Sequence, residues 1–280
     1  MKLQILVFSV LMCLYSSASQ STERRPCAEF APLTFGVLPF VSARRLVERF
    51  APLANYLTQA LASEVRLETA PDFVAFVQRT SEAHRYDILF TAPHFYSSAS
   101  NAGYRLVARV DSPGMRALIV VPEHSEIKRV SDLPGKRMST LDSKSLASLL
   151  VKKHLRENAI DPENDLTIIY TPTHNASLLS AYHGVTDAAA LMRPPYEAAS
   201  KKVRESMRII AETERAPHMP ISVAGKISQS CTADIRRVLL SMSLTAKGRE
   251  VLKHNRFSGF SEAQAEEYES MKNLMQVINK

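Results

Sequence analysis

The chain has 280 residues, of which 45% are hydrophobic and 22% are charged. This balance is typical of a folded globular protein with a sizeable core, and it excludes a disordered or fibrous chain. The formal net charge of +7 suits an anionic ligand and equally a solvated basic surface, because Lys and Arg form no dense run.

The first 20 residues are predicted to be a cleaved signal peptide. Met1-Lys2 forms a minimal positive region, and the apolar segment from Leu3 to Tyr15 is too short to span a membrane. Ser16-Ser17-Ala18 then offers the small residues that cleavage requires. We therefore expect an exported, periplasmic protein, and export also disfavours nucleic acid as a partner.

Two cysteines, Cys27 and Cys231, remain after removal of the leader. In an oxidising compartment they either form one disulfide, which would tie the N-terminus to a late segment, or persist as two separate thiols. The sequence leaves both alternatives open.

The first half of the mature chain alternates strands with helices. Helices are predicted to begin near Ser42, Pro71 and Pro93. The predicted strands cover 33–40, 65–70, 86–91, 104–110 and 116–121. This alternation predicts a parallel sheet covered by helices.

A second α/β unit follows, and the chain closes with three predicted helices. The predicted strands are 137–141, 166–170, 187–191, 207–211 and 219–223, and the closing helices are 228–243, 245–254 and 261–278. Extended segments near 107–120 and 207–223 are expected to cross between two lobes with a cleft between them. The predicted first lobe comprises 33–110 plus 212–280, and the second comprises 114–208.

The stretch from Arg137 to Leu150 carries the strongest indication of a site. A strand there turns through Asp142-Ser143-Lys144-Ser145 into an amphipathic helix. A helix N-terminus has unpaired N–H groups and a partial positive charge, so a hydroxyl-rich turn at that point is suited to an anion. The alternative is local: Asp142 or Ser143 simply caps the helix.

The remaining strand ends favour binding over catalysis. Hydroxyl and amide side chains recur there and carboxylates are scarce, which suits an oxyanion better than acid–base chemistry. Ser143, His174 and Asp187 can be drawn as a hydrolase triad, but the chain has no Gly-x-Ser-x-Gly elbow. His94, His174 and His218 lack metal-motif spacing. We expect no enzyme activity, no metal and no cofactor.

A series of short motifs gives a more specific indication through its order and spacing. The motifs are Phe35-Gly36-Val37-Leu38-Pro39, Ala70-Pro71-Asp72-Phe73, Tyr86-Asp87-Ile88, Asp111-Ser112-Pro113-Gly114, Leu133-Pro134-Gly135-Lys136, Asp142-Ser143-Lys144-Ser145 and Asp187-Ala188-Ala189-Ala190. Together they resemble the periplasmic substrate-binding proteins of phosphonate, phosphite and phosphate-type ABC transporters. The resemblance implies the α/β, two-lobed type II periplasmic binding protein fold, with two parallel-type sheets flanked by helices and two interdomain crossings.

The resemblance also implies a set of ligand-binding residues. The family's Asp-Ser-Thr-Ser-Gly loop falls on 142–146, where Lys144 replaces the threonine and Leu146 the glycine. Two family tyrosines are replaced by Phe73 and Thr91, and the family histidine matches His174. The expected contacts are Ser139, Thr140, Ser143, Lys144, Ser145, His174, Asn175, Thr91, His94, Phe40, Phe73 and Arg193.

The implied ligand is a small oxyanion without an ammonium group. Family members that bind aminophosphonates hold the ammonium with acids, whereas the matching segments 192–194 and 217–220 contain none. A buried ammonium without a carboxylate would cost several kcal/mol, on the order of a buried charge left unpaired. Arg193 either contacts the anion or pairs with a neighbouring acid.

Two functions remain open at this stage. The first is a monomer that delivers its ligand to an ABC permease by closing two lobes around it. The second is a sensory module that presents its bound ligand to a receptor or sensor kinase in the membrane.

Overall fold

The computed structural model describes residues 26–276, so the predicted signal peptide lies outside the described residues. The strands are β1 (Leu33–Val37), β2 (Val65–Glu68), β3 (Ile88–Phe90), β4 (Arg105–Val110), β5 (Ala117–Pro122), β6 (Arg137–Leu141), β7 (Thr167–Thr171), β8 (Ala188–Met192), β9 (Met207–Glu212), β10 (Pro220–Val223) and β11 (Phe260–Ser261). The helices are α1 (Ala43–Leu61), α2 (Phe73–Ser81), α3 (Tyr96–Asn101), α4 (Leu146–Glu157), α5 (His174–Tyr182), α6 (Arg193–Glu197), α7 (Lys201–Glu205), α8 (Gln229–Ser241), α9 (Ala246–Asn255) and α10 (Glu269–Gln276).

The strands form two sheets, each the centre of one lobe. The first lobe has the order β11-β4-β10-β3-β1-β2, and the second has β7-β6-β8-β5-β9. The parallel pairings predicted from the sequence are present, with β1 between β2 and β3 and with β6 between β7 and β8. The sheets are nevertheless mixed, because β10 runs antiparallel between β3 and β4, and β5 antiparallel between β8 and β9.

The antiparallel strands have a geometric cause. β4 leads directly into β5, and β9 leads into β10, so each crossing leaves one sheet and enters the other. The parallel strands of each sheet end at the edge that faces the other lobe. A chain that crosses between the lobes enters the second sheet at this edge, so its next strand runs antiparallel to the parallel strands there. The prediction of parallel-type sheets therefore holds for the βαβ units but not for the strands that follow the crossings.

The apolar pattern of the first lobe explains how α1 is positioned. Leu46, Phe50, Leu53 and Leu57 recur at helical spacing and are fully buried against the sheet. The helix continues through Pro52 to Leu61, and the next residue, Ala62, takes the left-handed conformation.

A disulfide joins Cys27 to Cys231, which resolves the alternative left open by the sequence. Both residues are fully buried in the first-lobe core, and Cys231 lies on α8. The bond ties the segment before β1 to the last quarter of the chain.

The end of the chain differs from the single helix predicted over 261–278. It forms β11, a 3-10 turn at Ala265–Tyr268 and then α10. The hydroxyl of Tyr268 donates to the carbonyl of His218 at 3.0 Å, whereas Met271 and Leu274 are buried in the second-lobe core. Although α10 falls within the predicted first lobe, it packs against both lobes.

The second crossing also begins later than predicted. β9 continues to Glu212, which pairs with Leu118 of β5 inside the second sheet. The range predicted for the second lobe, 114–208, therefore ends four residues before the strand does.

We expect replacement of Gly36 by alanine to destabilise the first lobe strongly. A Cβ at Gly36 would lie 2.3 Å from Cγ of Tyr86, a fully buried ring stacked on Phe76. Overpacking of this kind costs about 3 kcal/mol, which chemical denaturation would measure. If the Tyr86 ring is the cause, the double variant G36A/Y86L loses less stability than the sum of the two single variants; additive losses would contradict this explanation.

Candidate functional site

The two lobes meet at the edge where their parallel strands end. In the second lobe, β6, β7 and β8 are followed at once by the starts of α4, α5 and α6. In the first lobe, β3 is followed by a 3-10 turn, Pro93–Phe95. The two edges are in direct contact, because Nε2 of His94 lies 2.9 Å from the carbonyl oxygen of Lys144. The predicted cleft is therefore at the N-termini of the second-lobe helices.

The turn between β6 and α4 is held by its own hydrogen bonds. Ser145 is the N-cap of α4, and its hydroxyl accepts the N–H of Ser148 at 3.2 Å. Asp142 accepts the N–H of Lys144 at 2.8 Å. The cap is thus Ser145, and neither Asp142 nor Ser143 takes the role that the local alternative gave them.

Ser148, which was not predicted as a site residue, organises the hydroxyls around this turn. Its Oγ lies 2.9 Å from Oγ of Ser145 and 3.0 Å from Oγ1 of Thr140. It also reaches the carbonyl oxygens of Leu141 and Asp142, at 2.5 and 2.9 Å. The hydroxyls of Thr140 and Ser145 are buried in this network, so their contribution is to fix the shape of the turn.

Ser143 and Lys144 have a different status. Both residues are partly exposed. Within residues 26–276, no side-chain hydrogen bond or ion pair engages the hydroxyl of Ser143 or the ammonium group of Lys144. These two groups are therefore the side-chain donors of the turn that have no partner among the described residues.

The start of α5 repeats this arrangement. Thr173 caps the helix by accepting the N–H of Ala176 at 3.1 Å. His174 is half-buried and Asn175 is exposed at the first helical positions. Ser139, by contrast, has no exposed surface, and its hydroxyl donates to the carbonyl of Ser177 at 2.8 Å. Ser139 therefore joins β6 to α5 inside the lobe.

The first-lobe residues predicted for the site mostly face inwards. Thr91 is buried and lines a small pocket of about 10 Å³ together with Phe95. Phe73 is buried with its ring centre 6.2 Å from that of Phe95. Phe40 is half-buried, and the guanidinium carbon of Arg49 lies 5.3 Å from its ring centre. Of these predicted residues, Phe40 alone keeps a partly open ring.

Arg193 pairs with an acid that the sequence analysis missed. Its Nη2 and Nε lie 2.9 and 3.1 Å from Oε1 of Glu212, and its Nη1 lies 3.4 Å from Glu197. Nε of Arg116 is 3.8 Å from the same Glu212 oxygen. Hydrogen bonding to Glu212 raises the pKa of Arg193. Nineteen residues separate Arg193 from Glu212, and only the pairing of the strands brings them together.

The histidines around the cleft are uncharged at neutral pH. Burial lowers the pKa of His94 and of His174 to about 4. Burial, with a smaller effect from the charge of Arg109, lowers the pKa of His218 to about 4. Nδ1 of His94 and Nδ1 of His174 are buried without a hydrogen-bond partner among the described residues. These rings therefore offer hydrogen-bonding atoms but no positive charge.

The described part of the chain shows neither a metal site nor a membrane-spanning helix. Residues 26–276 contain no group of three or more His, Cys, Asp or Glu side chains arranged to hold a metal ion. No helix in the same range has the length and apolar character needed to cross a membrane.

Comparison with known proteins identifies a family and a fold. A family model described as the periplasmic substrate-binding protein of the phosphonate ABC transporter matches residues 35–268. The structure of PhnD1 from Prochlorococcus marinus in complex with methylphosphonate superposes with a TM-score of 0.80 at 16% identity, covering 89% of this chain and 98% of that one.

Two further solved structures agree. A binding protein component of a phosphonate ABC transporter from Pseudomonas aeruginosa has a TM-score of 0.77 at 17% identity, covering 87% of this chain and 85% of that one. The aliphatic sulphonate binding protein SsuA from Escherichia coli has a TM-score of 0.65 at 19% identity, covering 88% and 87%. The predicted type II periplasmic binding protein fold is confirmed.

The buried histidines predict a loss of stability in mild acid. Unfolded histidines have a pKa of about 6.5, so between pH 6.5 and 4 the unfolded chain binds protons that the folded histidines do not. The free energy of unfolding therefore falls as the pH is lowered through this window. His94, with 3% of its surface exposed, contributes up to about 1.4 kcal/mol per pH unit.

Denaturant titrations between pH 5 and 6.5 would measure this slope. We expect H94Q to reduce this slope by about one proton. An identical slope in H94Q and in the parent protein would show that His94 is already protonated in the folded state.

Proposed function

Since the chain belongs to the family of periplasmic substrate-binding proteins of phosphonate ABC transporters, we propose that its cleft captures a small phosphonate, phosphite or phosphate-like oxyanion for an ABC permease. Members of this family are periplasmic solute-binding components of transporters and not enzymes. The transport interpretation is preferred to the sensory one because the match is to a transporter component. We further propose that residues 1–20 are cleaved on export and that the mature protein acts as a monomer.

The turn at 142–145 is the observation that carries this proposal. It offers two donors that have no partner within residues 26–276, the hydroxyl of Ser143 and the ammonium group of Lys144, beside the N-terminus of α4. The helix adds partial positive charge at the same point. Charge-assisted hydrogen bonds of this kind suit the oxygens of a phosphonate or phosphate. In this family member, Lys144 supplies the charge at a position where the family loop has a hydroxyl.

The electrostatics of the cleft support an anion without an ammonium group. The carboxylates of Asp142 and Glu212 lie at this edge, and both are engaged. Asp142 accepts the N–H of Lys144 within the turn. Glu212 pairs with Arg193 and lies close to Arg116. A ligand ammonium would have to compete for these carboxylates, and a buried ammonium without a partner is costly.

The predicted site residues are divided into two groups, according to whether their side chains are open to a ligand or already held by contacts within the protein. Direct contact with the ligand is proposed for Ser143, Lys144, His174, Asn175 and Phe40, which are all at least partly exposed. The others in the predicted set are proposed to support the site through the fold: Ser139, Thr140, Ser145, Thr91, His94, Phe73 and Arg193.

The lobes are proposed to move as units about the two crossings. The units are 33–110 with 212–280, and 114–208, with two adjustments from the structure. β9 moves with the second lobe to Glu212, and α10 bears on both lobes.

We expect thermal unfolding to shift upwards in the presence of methylphosphonate, phosphite or phosphate. A ligand at 100 times its dissociation constant adds about 2.7 kcal/mol of stability. Titration calorimetry would confirm the stoichiometry, and 2-aminoethylphosphonate is expected to bind more weakly than methylphosphonate. If no oxyanion, sulfate and sulphonates included, raises the unfolding temperature or binds in calorimetry, the proposed function is wrong.

Replacement of Lys144 by methionine tests the source of the charge. We expect K144M to weaken binding of the preferred oxyanion about tenfold, since a charge-assisted hydrogen bond contributes roughly 1.5–3 kcal/mol. The matched control is K136M, because Lys136 is exposed just before β6, at the opposite end of the strand. Equal affinities of K144M and K136M would exclude Lys144 from the site.

A further inference from the structure

His94 is held rigidly on the first-lobe side of the cleft. It is the middle residue of the turn Pro93–Phe95, in which the N–H of Phe95 donates to the carbonyl of Ala92 at 3.0 Å. Its ring centre lies 4.1 Å from that of Phe95, and only 3% of the residue is exposed. The ring therefore has little freedom to turn towards another partner.

The hydrogen bond from His94 crosses between the lobes and has a defined direction. A carbonyl oxygen only accepts, so Nε2 of His94 carries the proton and donates to Lys144 at 2.9 Å. The other ring nitrogen, Nδ1, is buried without a partner in the described range. His94 is thus engaged with the second lobe rather than open to a ligand.

The acceptor belongs to the peptide group that shapes the anion turn. The carbonyl of Lys144 receives the bond from His94, and the N–H of Ser145 in the same peptide group donates to the carbonyl of Asp142 at 2.9 Å. The N–H of Lys144 is held by Asp142 as well. Because both sides of this peptide group are hydrogen-bonded, its plane is fixed, and with it the backbone angle that follows the Cα of Lys144.

An apolar contact reinforces the same junction. Leu141 is the last residue of β6, in the second sheet, yet it is 5% exposed and belongs to the first-lobe core. Separation of the lobes exposes Leu141 and breaks the His94 bond at the same time. Closure of the lobes and the geometry of the turn are therefore coupled through residues 141–144.

We propose that His94 is a positioning residue, a latch that donates to Lys144 on closure and so sets the anion turn in its binding geometry. The inference rests on the proposed function, because it assigns how the cleft retains the oxyanion. In the ligand-free protein the closed form, with the latch made, exchanges with an open form; ligand enters the open form and the latch then re-forms, so the latch governs the rate of release rather than the rate of capture.

Stopped-flow binding of methylphosphonate and of inorganic phosphate tests the latch. H94L, which lacks the donor, is expected to release ligand about fivefold faster, the effect of one lost hydrogen bond. Its association rate should stay within about twofold of the parent. H94Q keeps an N–H donor at a similar reach and is expected to restore slow release.

F76L is the matched control, because it removes a buried first-lobe ring that stacks on Tyr86 and leaves the turn Pro93–Phe95 intact. We expect its release rate to remain at the parent value even where its stability falls. Equal release from H94L and F76L, or a slower association rate with unchanged release, would overturn the latch.

Hydrogen exchange of the protein without added ligand gives an answer independent of the proposed function. H94L should speed exchange of the Lys144 and Ser145 amides severalfold relative to F76L, with H94Q close to the parent. If the parent binds neither anion but H94L loosens the turn, the proposed function fails and the latch stands. Unchanged exchange in H94L would refute the latch whatever the ligand.

Discussion

The backward run of β5 and β10 is the constraint on which the rest of the structure depends. Each is an interior strand of its sheet, and each is reached only through the other lobe. Hydrogen bonding on both sides of β5 and β10 anchors the crossings in the two cores. The crossings are therefore short and firmly attached, and the strand ends of both lobes are brought to one shared edge. The cleft follows from this strand order.

At that edge, most polar groups are satisfied by the protein itself. Ser148 gathers the hydroxyls of Thr140 and Ser145, and Ser139 is committed to α5. Burial leaves the histidines uncharged, and Glu212 and Arg193 compensate each other. A small number of open donors on a rigid turn remains. Such a turn loses little conformational freedom when an anion binds, which favours affinity.

Elements with a strong local pattern were predictable from the sequence. The helix start near Ser42, the alternation of strands with helices and the motif order led to the helices, the two lobes and the fold. β11 was not predictable, because two residues carry no periodicity and the strand exists only by pairing with β4. The last helix was predicted to begin at residue 261 but begins at Glu269. The residue before it, Tyr268, packs on Tyr96, and this long-range contact could not be read from the local sequence.

The site was predictable in position but not in detail. The sequence locates the turn at 142–145, yet which hydroxyls are open depends on partners far along the chain. Ser139 reaches Ser177, and Arg193 reaches Glu212, only after the strands have paired. The one local signal was Ser148, because its position three residues after Ser145 brings its N–H to the capping hydroxyl of Ser145. The contact between His94 and Lys144 was not predictable, because the two residues are 50 positions apart and no local sequence pattern links them.

The position of β10 also has a consequence for how the protein is made. β3 and β4 have no direct pairing and are joined only through residues 220–223. A nascent chain that ends before those residues cannot complete the first-lobe sheet, although it already holds most of its strands. Premature folding during synthesis is thereby disfavoured until the last quarter of the chain emerges. The first-lobe sheet therefore closes late, after every strand of the second lobe has been made.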